Sequence, residues 1–477
     1  MKDHDQIHQK NQFPDSVLDS LFAHFGFTNL TEIQKKASPI ILQKKDCLVI
    51  APTGSGKTEC SVIPIFSLVK KSKKFGKIKV LYITPLRALN RDVFRRITAY
   101  AQSNDLSIEI RHGDTTQTAR KKITEHPPDV LITTPETLVI LLTQIKMLDA
   151  LSELEWIIID EVHELLASER GSQLSLSIER LQLNSKYNLT KIGLSATVGN
   201  SEEAGKFVVG TKRKCQIIRD TSVRNYDVEI KFVDGTISDV ADKIIEHVLE
   251  LNLDSPILLF TNTRGEAEFL ASILKEKSSI NIELHHGSLS KEVREDTELT
   301  LREGKRGIVV CTSSLELGLD IGSIELVIHY GSPRQVSKLV QRIGRSRHNR
   351  DASAKGLIIT NNSDDEFEAR AILDRIKENS IEEQKIHDGS LDVLAHHLVG
   401  MTMQLGEIPV NLALETIHNA YPFRNLQLED LLNVLDLLDS NYLIFFDRTK
   451  MVFWKKGRSF KYYFENLSTI PDILKFK

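Results

Sequence analysis

The sequence predicts a parallel α/β fold that occurs twice in tandem and is followed by a smaller helical module. Short β-branched runs alternate with longer amphipathic stretches through the first two-thirds of the chain, which is typical of a parallel sheet covered by helices on both faces. This pattern pauses over residues 210–221 and then restarts, so two such domains are expected, with a boundary near Lys214. After about Asp388 the pattern changes to helices followed by a β-hairpin, which indicates a winged-helix module.

The predicted strands are short apolar runs, each followed by a turn residue and a helical period. In the first domain, residues 1–214, they cover residues 47–50, 80–84, 130–133, 156–159 and 191–194. In the second domain, residues 215–385, they cover residues 227–233, 257–260, 307–310, 326–328 and 357–360. The winged-helix domain is predicted over residues 386–465, with a hairpin formed by residues 442–446 and 451–454.

The composition excludes several classes of protein. The chain has 477 residues, of which 41% are hydrophobic and 27% charged, as in globular proteins of about three domains. The net charge is -3, so a nucleic-acid site must be a local basic stripe. The 4 cysteines are scattered, which argues against a zinc site, an iron–sulfur site or a disulfide framework and favours a reducing cytoplasm. No apolar stretch approaches about 18 residues, so neither a secretion signal nor a membrane partner is expected.

A phosphate-binding loop is the first chemical signal. Residues 49–58 read VIAPTGSGKT between a predicted strand and a predicted helix. Small residues let backbone N–H groups wrap phosphates, Lys57 reaches the outer phosphates, and the Thr58 hydroxyl is placed for magnesium. The alternative is a glycine-rich turn, but the ordered glycines followed by Lys-Thr favour the loop. The residues expected to bind ATP here are Thr53, Gly54, Ser55, Gly56, Lys57 and Thr58.

Two adjacent carboxylates follow a buried apolar run in the segment WIIIDEVH, residues 156–163. Asp160 can hold a magnesium ion and Glu161 can polarise the attacking water, as phosphoryl transfer requires. Alone, an acidic pair after a strand is more often a charge at a helix N-terminus. The phosphate loop about one hundred residues upstream favours the catalytic interpretation, with ATP and Mg²⁺ as cofactors.

An arginine-containing segment, VQRIGR at residues 340–345, is the third signal. An arginine from a second domain can stabilise the charge that develops on the γ-phosphate and so couple hydrolysis to domain motion. Gln341, Arg342 and Arg345 are therefore catalytic candidates. A basic helix face in solvent is the alternative interpretation.

These signals predict two RecA-like P-loop NTPase domains, and the chain resembles the superfamily 2 DExH-box helicases, within them the large helicase-related (Lhr) family. The match runs from residue 27 to residue 477, and Ala51 stands where the generic phosphate loop has its first glycine, as in helicase motif I. The LDVLAHHLVGM segment at 391–401 is typical of Lhr rather than of its relatives. The further motifs are TEIQ at 31–34, TPLRALN at 84–90, RHGDT at 111–115, TTPETL at 133–138, SAT at 195–197, FTNTR at 260–264, HHGSLS at 285–290 and TSSLELGLDIG at 312–322.

The resemblance implies roles at the matching positions around the nucleotide. Gln34 would read the adenine edge and Asp320 would contact the ribose, with an exposed amide and a turn-capping aspartate as the alternatives. Gln341 resembles the sensor of motif VI, and Arg345 its arginine finger. Arg342 is the second finger candidate, and the choice stays open because the motif departs from the Lhr pattern at residue 347.

The resemblance also implies residues that serve the strand. Ser195, Thr197 and His163 would couple hydrolysis to strand separation, with a plain strand-end turn as the alternative. Backbone contacts of this kind hold a strand without reading its sequence, and a capping hydroxyl or a solvated charge is the alternative for each. The implied contacts are Arg87, Thr134, Thr263, His286, Gly287 and Thr312.

For the whole chain the resemblance implies an ATP-dependent helicase of the nucleoid-containing cytoplasm that acts in DNA repair or recombination. It would move 3′ to 5′ on single-stranded DNA and unwind DNA duplexes or RNA–DNA hybrids. An RNA helicase or ribonucleoprotein remodeller and an ATP-gated nucleic-acid clamp remain alternatives, and protein partners are not indicated. Residues 454–463 interleave cations with aromatics, which could stack bases or pin the wing to the motor. Residues 466–477 resemble the beginning of a further domain, so the chain is expected to lack that domain and to lose coupling or processivity.

Overall fold

The structure is a computed structural model that describes residues 30–52, 54–85, 87–220, 226–251, 255–316, 324–346, 354–378 and 380–465, except for the side chains of Arg87, Ala88, Asp92 and Lys291. The described residues up to 220 and from 384 onward form one compact unit, and those between form a second. Within the described residues no helix is long and apolar enough to cross a membrane.

The first unit contains a parallel sheet whose strands, among the described residues, lie in the order β3-β4-β2-β5-β6-β1-β7. The strands are β1 Cys47–Ile50, β2 Val80–Ile83, β3 Ile108–Arg111, β4 Val130–Thr133, β5 Trp156–Ile159, β6 Thr190–Ser195 and β7 Gln216–Arg219. The central strands are fully buried apolar runs because helices cover both faces. These helices are α1 Glu32–Leu42, α2 Lys57–Ser72, α3 Arg87–Ser103, α4 Gln117–Glu125, α5 Pro135–Leu141, α6 Ile145–Leu151, α7 His163–Leu166, α8 Glu169–Asn184 and α9 Ser201–Val209.

The second unit contains a parallel sheet with the order β10-β11-β9-β12-β13-β8 in the described residues. Its strands are β8 Tyr226–Phe232, β9 Ile257–Phe260, β10 Ile282–His285, β11 Ile308–Cys311, β12 Leu326–Tyr330 and β13 Ala354–Thr360. Its helices are α10 Ile237–Leu251, α11 Arg264–Lys277, α12 Lys291–Arg302, a 3₁₀ turn Ser313–Leu315, α13 Val336–Ile343 and α14 Ser363–Lys377.

A small helical module follows in the first unit and ends in a hairpin. It consists of α15 Leu391–Leu405, β14 Ile408–Pro409, α16 Val410–Asn419, a 3₁₀ turn Tyr421–Phe423, α17 Leu428–Ser440, β15 Ile444–Asp447, β16 Val452–Lys455 and α18 Ser459–Glu465. Asp447 Oδ1 accepts hydrogen bonds from the backbone N–H groups of Thr449 and Lys450, both at 3.0 Å, which closes the hairpin turn. The predicted architecture of two parallel α/β sheets and a winged-helix module is confirmed.

Three strands of the two parallel sheets were missing from the sequence prediction, as was the two-residue strand β14 of the winged-helix module. β3 and β10 lie at sheet edges and mix polar with apolar residues, so neither resembles the continuous apolar runs of the buried strands. β7 is mostly exposed and pairs in parallel with β1. The first sheet therefore extends past the predicted boundary at Lys214, because a seventh strand lies in the segment where the apolar pattern pauses.

Helix α8 joins the first sheet to the winged-helix module. Arg180 on α8 is buried and donates hydrogen bonds to Gln404 Oε1 at 2.9 Å and to the Tyr463 hydroxyl at 3.3 Å. The Tyr463 hydroxyl in turn donates to the carbonyl of Val139 at 2.9 Å. A Cβ at Gly400 would lie 2.4 Å from the Tyr463 ring and 2.8 Å from Arg180 Nη1, so only glycine permits this close approach. Buried polar contacts therefore hold the module against helices α5 and α8 of the first unit.

Acid should loosen this junction, because two buried histidines lie in it. His396 stacks on Tyr463 with ring centroids 4.3 Å apart, and its Nε2 lies 3.0 Å from the Tyr463 carbonyl. Burial lowers the pKa of His396 to about 4 and holds the pKa of His397 well below its usual value. Both rings are neutral in the folded protein, whereas unfolded histidine takes up a proton near pH 6.5. Their contribution to stability is therefore complete above about pH 6.5 and is lost as the pH falls towards 4.

We expect the melting temperature to fall as the pH is lowered from about 7.5 to about 5. His396→Gln keeps an amide donor for the Tyr463 carbonyl but cannot titrate, so its melting temperature should fall less over the same range. Calorimetry of both proteins measures this difference. Equal falls would show that His396 does not contribute to the pH dependence.

Candidate nucleotide and strand sites

The residues that the sequence singles out follow the carboxyl ends of strands in both sheets. In the first sheet β5, β6 and β1 are neighbours, and they lead to the acidic pair, to Ser195 and to the phosphate loop. On the other side of β5, β2 and β4 lead to Arg87 and Thr134. Ligands of α/β sheets bind outside the carboxyl ends of the strands. One half of this edge therefore carries the predicted nucleotide residues, and the other half the predicted strand contacts.

The phosphate loop owes its shape to two glycines with positive φ. Gly54 has φ +75° and Gly56 has φ +86°, a left-handed conformation that side chains disfavour. Helix α2 begins directly after Gly56, so its free N–H groups face the loop. The buried Lys57 donates from Nζ to the carbonyl of Ala51 at 2.7 Å, and Ser55 Oγ donates to a loop carbonyl at 2.6 Å. The loop is thus curled around one lysine. Thr53 lies outside the described residues.

Gln34 lies against this loop, at the start of α1. Its Oε1 accepts a hydrogen bond from the Thr31 backbone N–H at 3.0 Å, and its own N–H bonds the Thr31 hydroxyl, which forms a capping box. Its buried Nε2 has no hydrogen-bond partner in the described residues, and a Cβ at Gly56 would lie only 2.5 Å from it. Oε1 is thus engaged in the cap, and Nε2 is the donor that the described residues leave without a partner.

The acidic pair is buried at the end of β5. Asp160 Oδ2 accepts from the Tyr82 hydroxyl at 2.7 Å, and the same hydroxyl hydrogen-bonds Thr58. Burial, and then the charge of Glu161, raises the pKa of Asp160 to about 6, while Tyr82 and Lys57 act in the opposite direction. Glu161 has φ +47°, a strained conformation for a residue other than glycine, and strain of this kind clusters at functional sites.

His163 connects the acidic pair to the end of β6. Its Nδ1 lies 3.1 Å from Ser195 Oγ and accepts the Ala196 N–H at 3.3 Å, and it lies 3.6 Å from Glu161 Oε2. Burial lowers the pKa of His163 to about 4, so the ring is neutral near pH 7 and its contact with Glu161 is not an ion pair. The structure thus brings His163 and Ser195 together. Thr197 lies two residues beyond Ser195, and its Oγ1 is buried without a hydrogen-bond partner among the described residues.

Arg170 on α8 connects the two segments that carry the predicted strand contacts of the first sheet. Its guanidinium pairs with Glu136, which follows Thr134 in α5, and donates to the carbonyl of Pro85, which precedes Arg87. The buried Thr134 lies at the N-terminus of α5 with its hydroxyl 3.2 Å from that of Thr137. Arg170 is not predictable from the sequence, because no local motif marks a residue that connects three elements. The Arg87 side chain lies outside the described part of the chain.

In the second sheet the predicted strand contacts follow three adjacent strands, β10, β11 and β9. His286 directly follows β10 and Thr312 directly follows β11, while Thr263 lies three residues after β9. The hydroxyl of Thr263 caps α11 by accepting the Glu266 N–H, as its alternative interpretation predicts.

Charged side chains lie beside His286 and Gly287, two of these predicted strand contacts. The buried His286 lies 3.0 Å from Glu268 through its Nε2. A Cβ at Gly287 would lie 3.8 Å from the Arg264 guanidinium, so this turn has room beside an exposed cation. The four residues share one sheet edge. Asp320 lies outside the described residues.

Helix α13 carries the three candidates of the VQRIGR segment. Arg342 is buried, pairs with Glu316 at 3.0 Å, bonds His329 and lies 5.1 Å from the centre of the Phe260 ring. Arg345 is buried as well and donates from Nη2 to the Glu316 carbonyl at 2.8 Å. Gln341 Oε1 is buried without a hydrogen-bond partner in the described part of the chain. The guanidinium of Arg342 therefore already contacts three residues of its own unit, Glu316, His329 and Phe260.

The aromatic and basic segment at 454–463 divides into two parts. Trp454 stacks on Phe445 with ring centroids 5.4 Å apart, and Lys456 lies 4.4 Å from the Phe445 ring, at the hairpin surface. Tyr462 and Tyr463 are buried in the core of the module. The second part therefore holds the module to helices α5 and α8 of the first unit through the Tyr463 hydroxyl, as one of the two predictions had it.

Comparison with known proteins finds three family matches along the chain. The DEAD/DEAH box helicase family matches residues 31–204, the helicase conserved C-terminal domain residues 239–349, and the large helicase-related protein winged helix domain residues 374–469. The ATP-dependent helicase Lhr-Core of Methanothermobacter thermautotrophicus is 37% identical over 94% of this chain and 56% of its own length. The Lhr helicase/uracil glycosylase of Escherichia coli is 30% identical over 91% of this chain and 33% of its own length.

One similar solved structure is Mycobacterium smegmatis helicase Lhr bound to ssDNA and AMP-PNP. It has a TM-score of 0.83 and 31% identity, and the match covers 94% of this chain and 61% of that one. The chain thus spans little more than half the length of several relatives that it matches.

Proposed function

The chain belongs to the large helicase-related family of superfamily 2 helicases, and on that basis we propose that it is an ATP-dependent motor that moves along a nucleic-acid strand. The M. smegmatis relative binds ssDNA and the ATP analogue AMP-PNP, and we extend both ligands to this chain. In detail, the motor moves 3′ to 5′ on single-stranded DNA and unwinds DNA duplexes or RNA–DNA hybrids. DNA repair or recombination is the process in which we place it.

The arrangement of the first sheet is the observation that carries this proposal. The nucleotide residues follow β1, β5 and β6, and the strand contacts follow β2 and β4, along one continuous edge. His163 and Ser195 lie 3.1 Å apart within the nucleotide half, and Arg170 ties the two segments of the strand half to each other. We infer that a change at the γ-phosphate reaches the strand contacts through the sheet edge that carries both sets of residues.

Magnesium fits the oxygens that the structure gathers beside the phosphate loop. The Thr58 hydroxyl and the Asp160 carboxylate both lie against the Tyr82 hydroxyl, and Mg²⁺ prefers a few such oxygens completed by phosphate and water. Among the described residues no group of three His, Cys, Asp or Glu side chains could hold a metal by itself, so phosphate oxygens are needed as ligands. When bound, the ion would neutralise charge on the β- and γ-phosphates. Thr58 and Asp160 would hold it, and Glu161 would orient the water.

Polarity and substrate are tested with tailed duplexes. The protein is mixed with ATP and duplexes that carry a single-stranded tail at either the 3′ or the 5′ end, made from DNA, RNA or both. We expect strand separation from 3′-tailed DNA duplexes and RNA–DNA hybrids. Separation from 5′ tails alone would contradict the direction, and preference for RNA duplexes would favour the RNA helicase. Stimulated ATP hydrolysis without separation of any duplex would favour the ATP-gated clamp.

Lys57→Ala should weaken ATP binding by about tenfold or more. The ammonium that Ala51 holds inside the loop is the group that reaches the outer phosphates, and charge-assisted contacts of this kind contribute about 1.5–3 kcal/mol. Titration with a fluorescent ATP analogue measures the change. Lys70→Ala, at the far end of the same helix and exposed, is the matched control and should bind ATP as the parent does. Unchanged affinity in Lys57→Ala would contradict the assignment of the loop.

A further inference from the structure

A basic pocket of about 460 Å³ lies beside the strand half of the first sheet. It opens between the end of β3, helix α4 and the turn that joins α5 to α6. Four cationic side chains line it, Arg111, Arg120, Lys121 and Lys146, together with a single carboxylate, Glu125. The whole chain carries a net charge of -3, so this concentration of positive charge is local.

Arg111 is the buried cation of this pocket. It is 5% exposed and donates to the neutral oxygens of Gln144 at 2.8 Å and Thr124 at 3.4 Å. No carboxylate lies within ion-pair distance of it in the described residues. Burial, and then the charge of Arg120, lowers its pKa to about 10. A buried cation without a counter-charge is costly, and an anion in the pocket would offset that cost.

The neighbouring cations are also available to an anion. Arg120 donates from Nη2 to the Gly113 carbonyl at 2.6 Å and has no carboxylate partner in the described part of the chain. Lys146 is exposed and makes no ion pair there. The one carboxylate, Glu125, lies 3.8 Å from the Lys121 ammonium and is itself half exposed. The pocket therefore keeps an excess of positive charge.

The pocket is continuous with a predicted strand contact. Thr137 lines it, and the Thr137 hydroxyl lies 3.2 Å from that of Thr134. On the premise of the proposed function, we propose that this pocket binds phosphate groups, so that Arg120 and Lys146 hold a nucleic-acid strand beyond Thr134. The same chemistry would accept a free polyphosphate anion, and the experiment separates the two sources.

The experiment compares the double variant Arg120→Gln, Lys146→Gln with the parent. Lys146 is exposed and Arg120 is partly exposed, so their loss should not unfold the chain, whereas loss of Arg111 would disturb its buried contacts. Lys122→Gln is the matched control, because it lies on the same helix, is exposed and pairs with Glu109 at 2.9 Å outside the pocket. Affinity for a single-stranded DNA is measured by fluorescence anisotropy over a series of salt concentrations.

We expect the double variant to bind the strand more weakly and to lose about 1.4 from the magnitude of the slope of log affinity against log salt, about 0.7 for each phosphate contact. The control should keep the parental slope, and ATP hydrolysis without nucleic acid should be unchanged in all three proteins. In a second arm, pyrophosphate is titrated against the melting temperature in a Lys57→Ala background, which weakens binding at the phosphate loop. If pyrophosphate raises the melting temperature of the parent but not of the double variant, while the two proteins have the same salt slope, the pocket is assigned to a free anion.

If both the slope and the response to pyrophosphate match the parent, the pocket does not bind phosphate and the inference is overturned. The parental protein keeps this result separate from the proposed function. If the parent binds strands and the double variant has the same salt slope as the parent, the proposed motor function stands and only the pocket proposal is wrong. A parent that binds no strand at all would contradict the motor, and the pyrophosphate arm would still test the pocket.

Discussion

Glu161→Gln is expected to reduce the kcat of ATP hydrolysis by about 10²- to 10⁴-fold and to leave ATP binding nearly unchanged. The buried carboxylate lies two residues after the end of β5 and has a strained backbone, which fixes its direction beside Asp160. Glutamine keeps the size and the polar contacts of the side chain but cannot take a proton from the attacking water. Burial lowers the pKa of His163 to about 4, so its ring is neutral near pH 7. His163 therefore cannot supply the charge that is lost with the Glu161 carboxylate. Single-turnover hydrolysis and analogue binding measure the two effects separately.

Glu164→Gln is the matched control for this substitution. Glu164 lies three residues further on and is exposed, and its Oε1 lies 3.4 Å from His163. Hydrolysis at close to the parental rate is expected. If Glu161→Gln and Glu164→Gln behave alike, Glu161 does not orient the water and the assignment of the acidic pair is wrong.

Arg345→Ala is expected to lower kcat by about 10³- to 10⁵-fold, the range for an arginine that stabilises phosphoryl transfer, with the fold of the second unit retained. The resemblance to motif VI implies Arg345 as the arginine finger, with Arg342 as the second candidate. Arg342 pairs with the buried Glu316 and packs on Phe260, so its guanidinium already has a structural function. Arg342→Ala should instead destabilise the second unit by about 3–5 kcal/mol, because it leaves Glu316 buried without its cation.

Denaturant unfolding and ATP hydrolysis, measured on both variants, separate the two arginines. Arg370→Ala is the control, since Arg370 is exposed and pairs with Glu366 at 2.7 Å on the surface of α14, where such pairs contribute about 0–1 kcal/mol. A stable Arg345→Ala protein with the parental kcat would contradict the finger assignment. The role would then pass to Arg342 if its variant remained folded and inactive.

The sequence predicts the sheets well where the physics is local. Buried parallel strands such as β5 are predictable because they are continuous apolar runs in the sequence. The phosphate loop is predictable from its glycines, because its left-handed φ angles require them. The edge strands β3 and β10 escape prediction because one side of each meets solvent, which mixes polar residues into the run. β7 escapes because its pairing with β1 depends on residues far away in the chain.

In the candidate site, too, the residues of local motifs are predictable from the sequence, and those that depend on three-dimensional contacts are not. Lys57 and the acidic pair are predictable because each follows a strand within a short motif. The capping bond that occupies Gln34 Oε1 and the engagement of Arg342 by Glu316 depend on three-dimensional contacts. Arg170 and Arg180 act across elements more than thirty residues apart in sequence, so neither belongs to a motif, although both connect parts on which the proposed motor depends.

We propose that one sheet edge serves both ATP and the strand, so the rate of ATP hydrolysis should depend on the strand. The most direct test is the kcat of the parental chain with and without saturating single-stranded DNA at the same ATP and Mg²⁺ concentrations. We predict that the strand raises kcat by about 5- to 150-fold, the usual range of coupling between two sites. The same kcat with and without DNA or RNA strands, in a protein that binds both ATP and strand, would contradict the claim.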